Sequence, residues 1–350
     1  MKIPSLDFEL LEKLTVTEGV PGREDLVREV IRSSLPLGKN EFSDDRLGNL
    51  VAHIPGKGKR VMLVAHMDEV GLIVQRIHPD GFLKVERLGA ISLRALPGNR
   101  LSLWTNGGCI PAQVVVKPQH LDTKEMFDIS SILIDVGASS SAELKSMGIR
   151  VGDVLTWDSP LRTFGKDQIS GKALDDRLGC YILIQLVKQL KPQDLHCDLY
   201  LAFTVQEESM LTGGVIAVRA HSPDIIIGVD GTLAFDSPDL NGMQSDLRLG
   251  DGPALKWMDA IRGKMASFVP DHQLAMRVRE IAQEEKIPLQ DEVITGLSTA
   301  VTPMQFSAEN ASTIAFSVPI RYHHTPIETA NLSDLENMIL LLREILKKEL

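Results

Sequence analysis

Cysteine is scarce. The 350 residues include only Cys109, Cys180 and Cys197, an odd number with no CxxC pair. A disulfide framework and a cysteine-rich zinc site are thereby excluded, and reduced core thiols are expected. Long apolar runs are also missing: stretches such as 61–65 and 339–342 fall far below the roughly 18 to 20 residues of a membrane helix. Basic residues are outnumbered, with 37 Lys and Arg against 47 Asp and Glu, so the formal charge is −10 and no long basic run concentrates positive charge. A phosphate backbone would want the opposite sign, so no nucleic acid is expected as a partner. The opening MKIPSLDFELLEKL carries Asp7, Glu9 and Glu12 where a signal peptide needs a basic start and an unbroken apolar core. The chain reads as cytoplasmic. What remains is an ordinary globular composition, 43% hydrophobic and 24% charged, long enough for about two domains.

Helical spacing at Leu10, Leu11 and Leu14, and again through Leu26, Val27, Val30 and Ile31, predicts two helices before any strand. DDRLGNLVAHIPG and KRVMLVAHMDE then read as strands, the second a continuous apolar run typical of a strand covered on both faces. From about Gly71 to Phe164 the texture becomes short, Gly-bounded and β-branched: GLIVQRI, GFLKVERLG, RLSLWT, PAQVVVK, SILIDVGA and GDVLTWD. These predict a small all-β barrel or sandwich, with a short helix after Ser140, where Glu143 completes a capping box. After KALDDR, helices alternate with the strands LYLAFTV, IIIGVD and TIAFSVP, and a final helix is expected to be capped by Ser333 with Glu336. The predicted fold class is α/β: an α/β/α mixed-sheet, zinc-peptidase-like catalytic domain, residues 1–68 and 165–350, interrupted by a β-barrel-like domain at 69–164.

The chemistry-bearing residues follow apolar strands: His66 and Asp68 after VMLVA, Glu207 and Glu208 after LYLAFTVQ, Asp230 at the end of IIIGV, and His323 and His324 after TIAFSVPIRY. In an open parallel sheet such residues meet beyond the strands' carboxyl ends. Asp175 and Asp176 precede a helix, where carboxylates complement its dipole. A solvated residue or helix cap explains any one of these alone. Adjacent Glu207 and Glu208 after an apolar strand are harder to explain without a cation. Histidines and carboxylates without cysteine suit zinc, cobalt or manganese. For both glutamates to face one site, the strand must end and turn at Gln206.

AHMDEVG (65–71), KALDDRLGC (172–180), TVQEE (204–208), GVDGT (228–232), LGDGPALKWMDA (249–260) and RYHHTPIE (321–328) resemble the dinuclear metalloaminopeptidases typified by the tetrahedral (TET) and glutamyl aminopeptidases. The likeness spans nearly the whole chain, including ELLEKLTVTEGVPGRED and VGASSSAELKSMGIRVGD in the family's order. It implies two divalent metal ions, zinc or cobalt with manganese as a further candidate. His66 and Asp230 would hold one ion, Glu208 and His324 the other, and Asp175 would bridge them. His324 is chosen because it precedes Thr325 and Pro326, whereas the family equivalent of His323 varies. Asp68 would accept a proton from the far nitrogen of His66, and Asp176 would position the bridging aspartate. A metal-bridging hydroxide would attack, with Glu207 as general base, releasing amino-terminal residues from short peptides. SMLTGG (209–214) and GLSTA (296–300) depart from the family's VGLRGA and GGTDA, which touches substrate selection and assembly rather than the ligands. A deacylase or amidase with the same ions, and a catalytically silent binding protein, are the alternatives. The insert is expected to serve dimerisation, with no group of its own that the chemistry needs and with apolar faces such as Ile132, Leu133 and Ile134 to cover. A homo-oligomer built from dimers, up to a dodecamer, follows from the resemblance.

Overall fold

The strand Arg60–His66 is buried from Val61 onward, and its alternate residues feed two different cores. Val61, Leu63 and Ala65 join the side packed by the helices Phe8–Val16, Asp25–Ser34, Leu174–Gln189, His272–Glu284 and Leu332–Leu346. Met62 and Val64 join the side packed by Thr212–His221 and Val301–Met304. That period of two under helices on both faces makes an α/β/α sandwich. In this computed structural model, residues 6–118, 120, 128–261, 267–308 and 310–349 are described.

The central sheet is mixed. Asp198–Thr204, Arg60–His66, Ile225–Leu233 and Ser312–Ile320 lie side by side and parallel. Leu50–Ile54 joins one flank antiparallel, and Ala254–Ala260 joins the other, carrying Gln290–Thr295 at its far side. Parallel order brings four strand ends to one edge, as the apolar runs predicted.

The six short β-branched segments form one closed antiparallel barrel, from Gly71–Ile77 through Phe82–Leu88, Leu133–Asp135, Gly108–Val114 and Arg100–Thr105 to Val154–Trp157. Its interior is a separate core around Leu72, Leu83, Leu103 and Leu155. Closure changes one expectation. Ile132 and Ile134 are 1% and 0% exposed inside that core, and Leu133 is half-buried. They are not faces awaiting a partner, because the strand Leu133–Asp135 pairs on both sides and a barrel has no free edge there. Where the chain enters the barrel, buried Glu69 pairs with Lys172 at 2.6 Å and Arg177 at 3.5 Å.

The final helix also departs from expectation. Its cap is Asn331, in extended conformation at the end of strand Glu328–Asn331, whose side chain accepts from the Ser333 N–H. The strand leads straight into the helix, so the cap comes two residues before Ser333.

Candidate metal centre

Pairing between Arg60–His66 and Ile225–Leu233 stops at Gly228 opposite Val64. Beyond that point the strands no longer bond, and His66 and Asp230 face each other across the gap, with His66 Nε2 3.6 Å from Asp230 Oδ1. Asp175 fills the gap from the side, at the start of Leu174–Gln189, where its backbone (φ −81°, ψ 113°) is not yet helical and its peptide to Asp176 is cis. Its Oδ1 lies 3.4 Å from His66 Nε2, and its Oδ2 lies 2.8 Å from His323 Nε2 and 3.3 Å from His324 Nε2. Neighbouring Gly231 leaves room for this carboxylate, since a Cβ there would sit 2.9 Å from Asp175 Oδ1.

The strand Asp198–Thr204 ends before the glutamates. Gln206 takes the left-handed conformation (φ 57°, ψ 33°) and Glu207–Met210 starts a short helix, so both glutamates reach one side as the sequence required. Asp68 fastens this turn: Oδ1 accepts from Glu207 N at 3.0 Å and Oδ2 from Glu208 N at 2.9 Å. Asp68 also stands at the far nitrogen of His66. The nearest group to His66 Nδ1 is the Asp68 backbone carbonyl at 3.1 Å, with the carboxylate at 3.5 Å, because that carboxylate is engaged by the two amides. Asp176 stands behind the cluster, accepting from His66 N at 3.1 Å and Gly179 N at 3.0 Å.

His324 follows the strand Ser312–Ile320 with φ 61°, and its Nε2 is 3.1 Å from Glu208 Oε1. Its Nδ1 is 3.1 Å from the Ala90 carbonyl. A carbonyl only accepts, so Nδ1 carries a proton and Nε2 is the nitrogen left to bind a cation; the Asp68 carbonyl does the same for His66. Ala90 belongs to the insert, which therefore does contribute a group to the site. Glu328 ties two arms together, accepting from His324 N at 2.6 Å and from Leu174 N at 2.7 Å and Asp175 N at 3.2 Å.

Metal bonds of about 2.0–2.2 Å in tetrahedral array separate neighbouring donors by roughly 3.3–3.6 Å. The cluster's spacings of 3.4 and 3.6 Å on one side of Asp175, and 3.3 and 3.1 Å on the other, match that scale. Asp175 Oδ1, Glu208 Oε1 and His323 Nε2 are buried without a hydrogen-bond partner. The charge balance points the same way. Burial, then neighbouring carboxylates, push Asp176 and Glu207 well above the usual carboxyl range and Asp230 above it too. The residues present fit divalent cations, in two groups that share Asp175: His66, Asp175 and Asp230, and Asp175, His323 and His324.

A cavity of about 590 Å³ opens on this cluster, with Met210, Leu211, Leu233, Ile261 and Leu297 forming an apolar wall. A larger cavity, about 800 Å³, lies at the opposite end of the parallel strands among Lys57, His196, Asp224 and Ser312. It contains none of the clustered residues, so size does not identify the site.

Motif reading weighed His323 but set it aside for His324, and it passed over Glu328 and Ala90. The doubled histidine and the last letter of RYHHTPIE were signals for the first two. Nothing in the sequence marks Ala90.

The family model for M42 glutamyl aminopeptidase matches residues 48–341. The lysyl aminopeptidase of Pyrococcus furiosus is 33% identical over 352 residues, covering 98% of this chain and 97% of that protein. An aminopeptidase from the archaeon Desulfurococcus kamchatkensis superposes with a TM-score of 0.92 at 33% identity, covering 97% of this chain and 94% of its own. The Pyrococcus horikoshii TET1 peptidase, which can assemble into a tetrahedron or a large octahedral shell, does so with a TM-score of 0.86 at 29% identity, covering 97% and 98%.

Proposed function

Since this chain belongs to the M42 glutamyl aminopeptidase family, a family of peptide hydrolases, we propose that it is a dinuclear metal-dependent aminopeptidase acting on short peptides. The observation that carries the reading is the division of Asp175, one oxygen toward His66 and Asp230 and the other toward the His324 side. His66 and Asp230 would hold one ion, Glu208 and His324 the other, and Asp175 both; this donor set suits zinc or cobalt, with manganese as a further candidate. When bound, the pair supplies Lewis acidity, lowering the pKa of water and polarising the scissile carbonyl.

The chain's own residues do the rest. Glu207 lines the cavity with its carboxyl raised by burial and by the carboxylates around it. It is placed to take a proton from water and return it to the leaving amine. Asp68 holds Glu207 and Glu208 through their amides, and Ala90 and the Asp68 carbonyl orient the two imidazoles. The proposal extends to a cytoplasmic homo-oligomer built from dimers through the 69–164 insert, on the model of its assembling relative.

Metal analysis with kinetics tests the site. Asp175→Ala should lose both ions, because each depends on the shared carboxylate. Glu207→Gln should keep both while turnover of an aminoacyl anilide falls by about 10²- to 10⁴-fold. Full occupancy in the first variant, or near wild-type turnover in the second, would sink the assignment. Equal cleavage of the N-acetylated anilide would make the protein an amidase instead. Bound metal without any turnover would make it a silent family member.

A further inference from the structure

The first histidine of RYHHTPIE has no part in the ligand set proposed above, yet it makes the shortest histidine–carboxylate approach of the cluster: His323 Nε2 lies 2.8 Å from Asp175 Oδ2. In an extended strand, successive side chains diverge to opposite faces. Here Tyr322 and His324, on either side, both take left-handed backbone conformations (φ 58° and 61°). The two imidazoles stack, with centroids 4.1 Å apart and planes at 29°, and both Nε2 atoms approach the same carboxylate oxygen. His323 Nε2 is buried and makes no aligned hydrogen bond, although its carboxylate neighbour is so close. A histidine present only to steady Asp175 would point its N–H along that short line. One whose nitrogen is unpaired and lies within 4.8 Å of donor atoms of both Asp175 and His324 is placed as a third donor with them.

We propose that His323 is an additional protein ligand for the ion held by Glu208 and His324, so that the two metal positions differ in chemistry. The inference rests on the dinuclear reading. One position then offers two imidazoles with Glu208 and Asp175, and the other offers one imidazole with Asp175 and Asp230. Nitrogen-rich donor sets favour zinc, cobalt and nickel, whereas carboxylate-rich ones accept manganese more readily. The expected result is unequal loading: zinc or cobalt on the His323 side, with manganese competing mainly for the His66 side.

The test is titration of metal-free protein with cobalt, read by calorimetry and by the visible absorption of bound cobalt, on wild type, His323→Met and His323→Gln. Both substitutions keep side-chain volume, and circular dichroism checks the fold. Wild type should bind two ions in distinguishable steps. In both variants one step alone should weaken, by at least the roughly 10- to 100-fold that loss of a supporting partner costs a metal site, with a changed absorption band. The same step should weaken in Glu208→Gln, and the other in Asp230→Asn. Wild-type steps and spectrum in both variants would overturn the proposal while leaving the dinuclear reading intact. Equal weakening of both steps would also overturn it, making His323 a positioning residue for the shared carboxylate. Failure of wild type to bind two ions would overturn this proposal and the proposed function together.

Discussion

Asp68 engages each of its carboxylate oxygens with a separate backbone amide, those of Glu207 and Glu208, and its side chain is itself fully buried. An asparagine there has one acceptor and would turn its own N–H₂ toward the second amide. A buried unpaired donor costs about 1–3 kcal/mol, and the cost falls on the turn that aims the two glutamates. Asp68→Asn should lower the melting temperature and reduce kcat more than it reduces metal content. Wild-type kcat with intact metal binding would show that the cap does not hold the turn. At this scale the sequence displayed which residue types gather beyond the strands, because runs such as TVQEE and RYHHTPIE put polar groups where an apolar strand stops. It did not display which atom meets which. That depends on backbone torsions at Gln206, Tyr322 and His324 that no residue type there announces, so neither the two amides that Asp68 accepts from nor the approach of His323 to Asp175 could be read from it.

Among the elements, the turn after Asp198–Thr204 is anchored from the amino-terminal helices. Glu24, beside Asp25–Ser34, accepts from Gly22 N at 2.9 Å and Gln206 N at 3.0 Å. Burial, followed by the charge of Asp68, pushes its pKa up to about 7. The unfolded chain would hold this carboxyl near 4.5, so between those values the folded state binds the extra proton. Stability from this group is therefore fully present at low pH and is lost as pH rises toward 7. Glu24→Gln should flatten the fall in melting temperature across that window at constant metal loading; an unchanged slope would remove Glu24 from the account. The element map was largely readable. Continuous apolar runs marked the four parallel strands, and β-branched pieces between glycines marked all six barrel strands. The edge strand Gln290–Thr295 escaped because its burial inverts the usual signal: Glu292 is buried while Asp291 and Val293 are exposed, so its polar and apolar residues do not mark an inner and an outer face. The cap of the last helix escaped because Asn331 ends a strand and begins a helix at once.

For the whole molecule, the closed barrel removes the free-edge motive for association, and the case for assembly rests on the relatives together with exposed Val115, Val116 and Val151 on the insert. Light scattering at micromolar concentration should give a mass at least twice the 38.5 kDa of one chain; active monomer would refute it. Cleavage of a tripeptide but not of a folded protein with the same terminal residue would indicate enclosed sites. The contact between Ala90 and His324 has a consequence for anyone reshaping this chain. A peptide carbonyl from the barrel decides which nitrogen of a catalytic-layer imidazole carries the proton, so the insert is not a detachable cassette. Excising it to make a minimal hydrolase, or grafting in a foreign barrel whose loop ends a residue short, would free that ring to adopt the other tautomer and turn a proton toward the proposed cation position. Insert and host are in that sense one inheritable unit, since one carbonyl oxygen of the first sets the proton on an imidazole of the second.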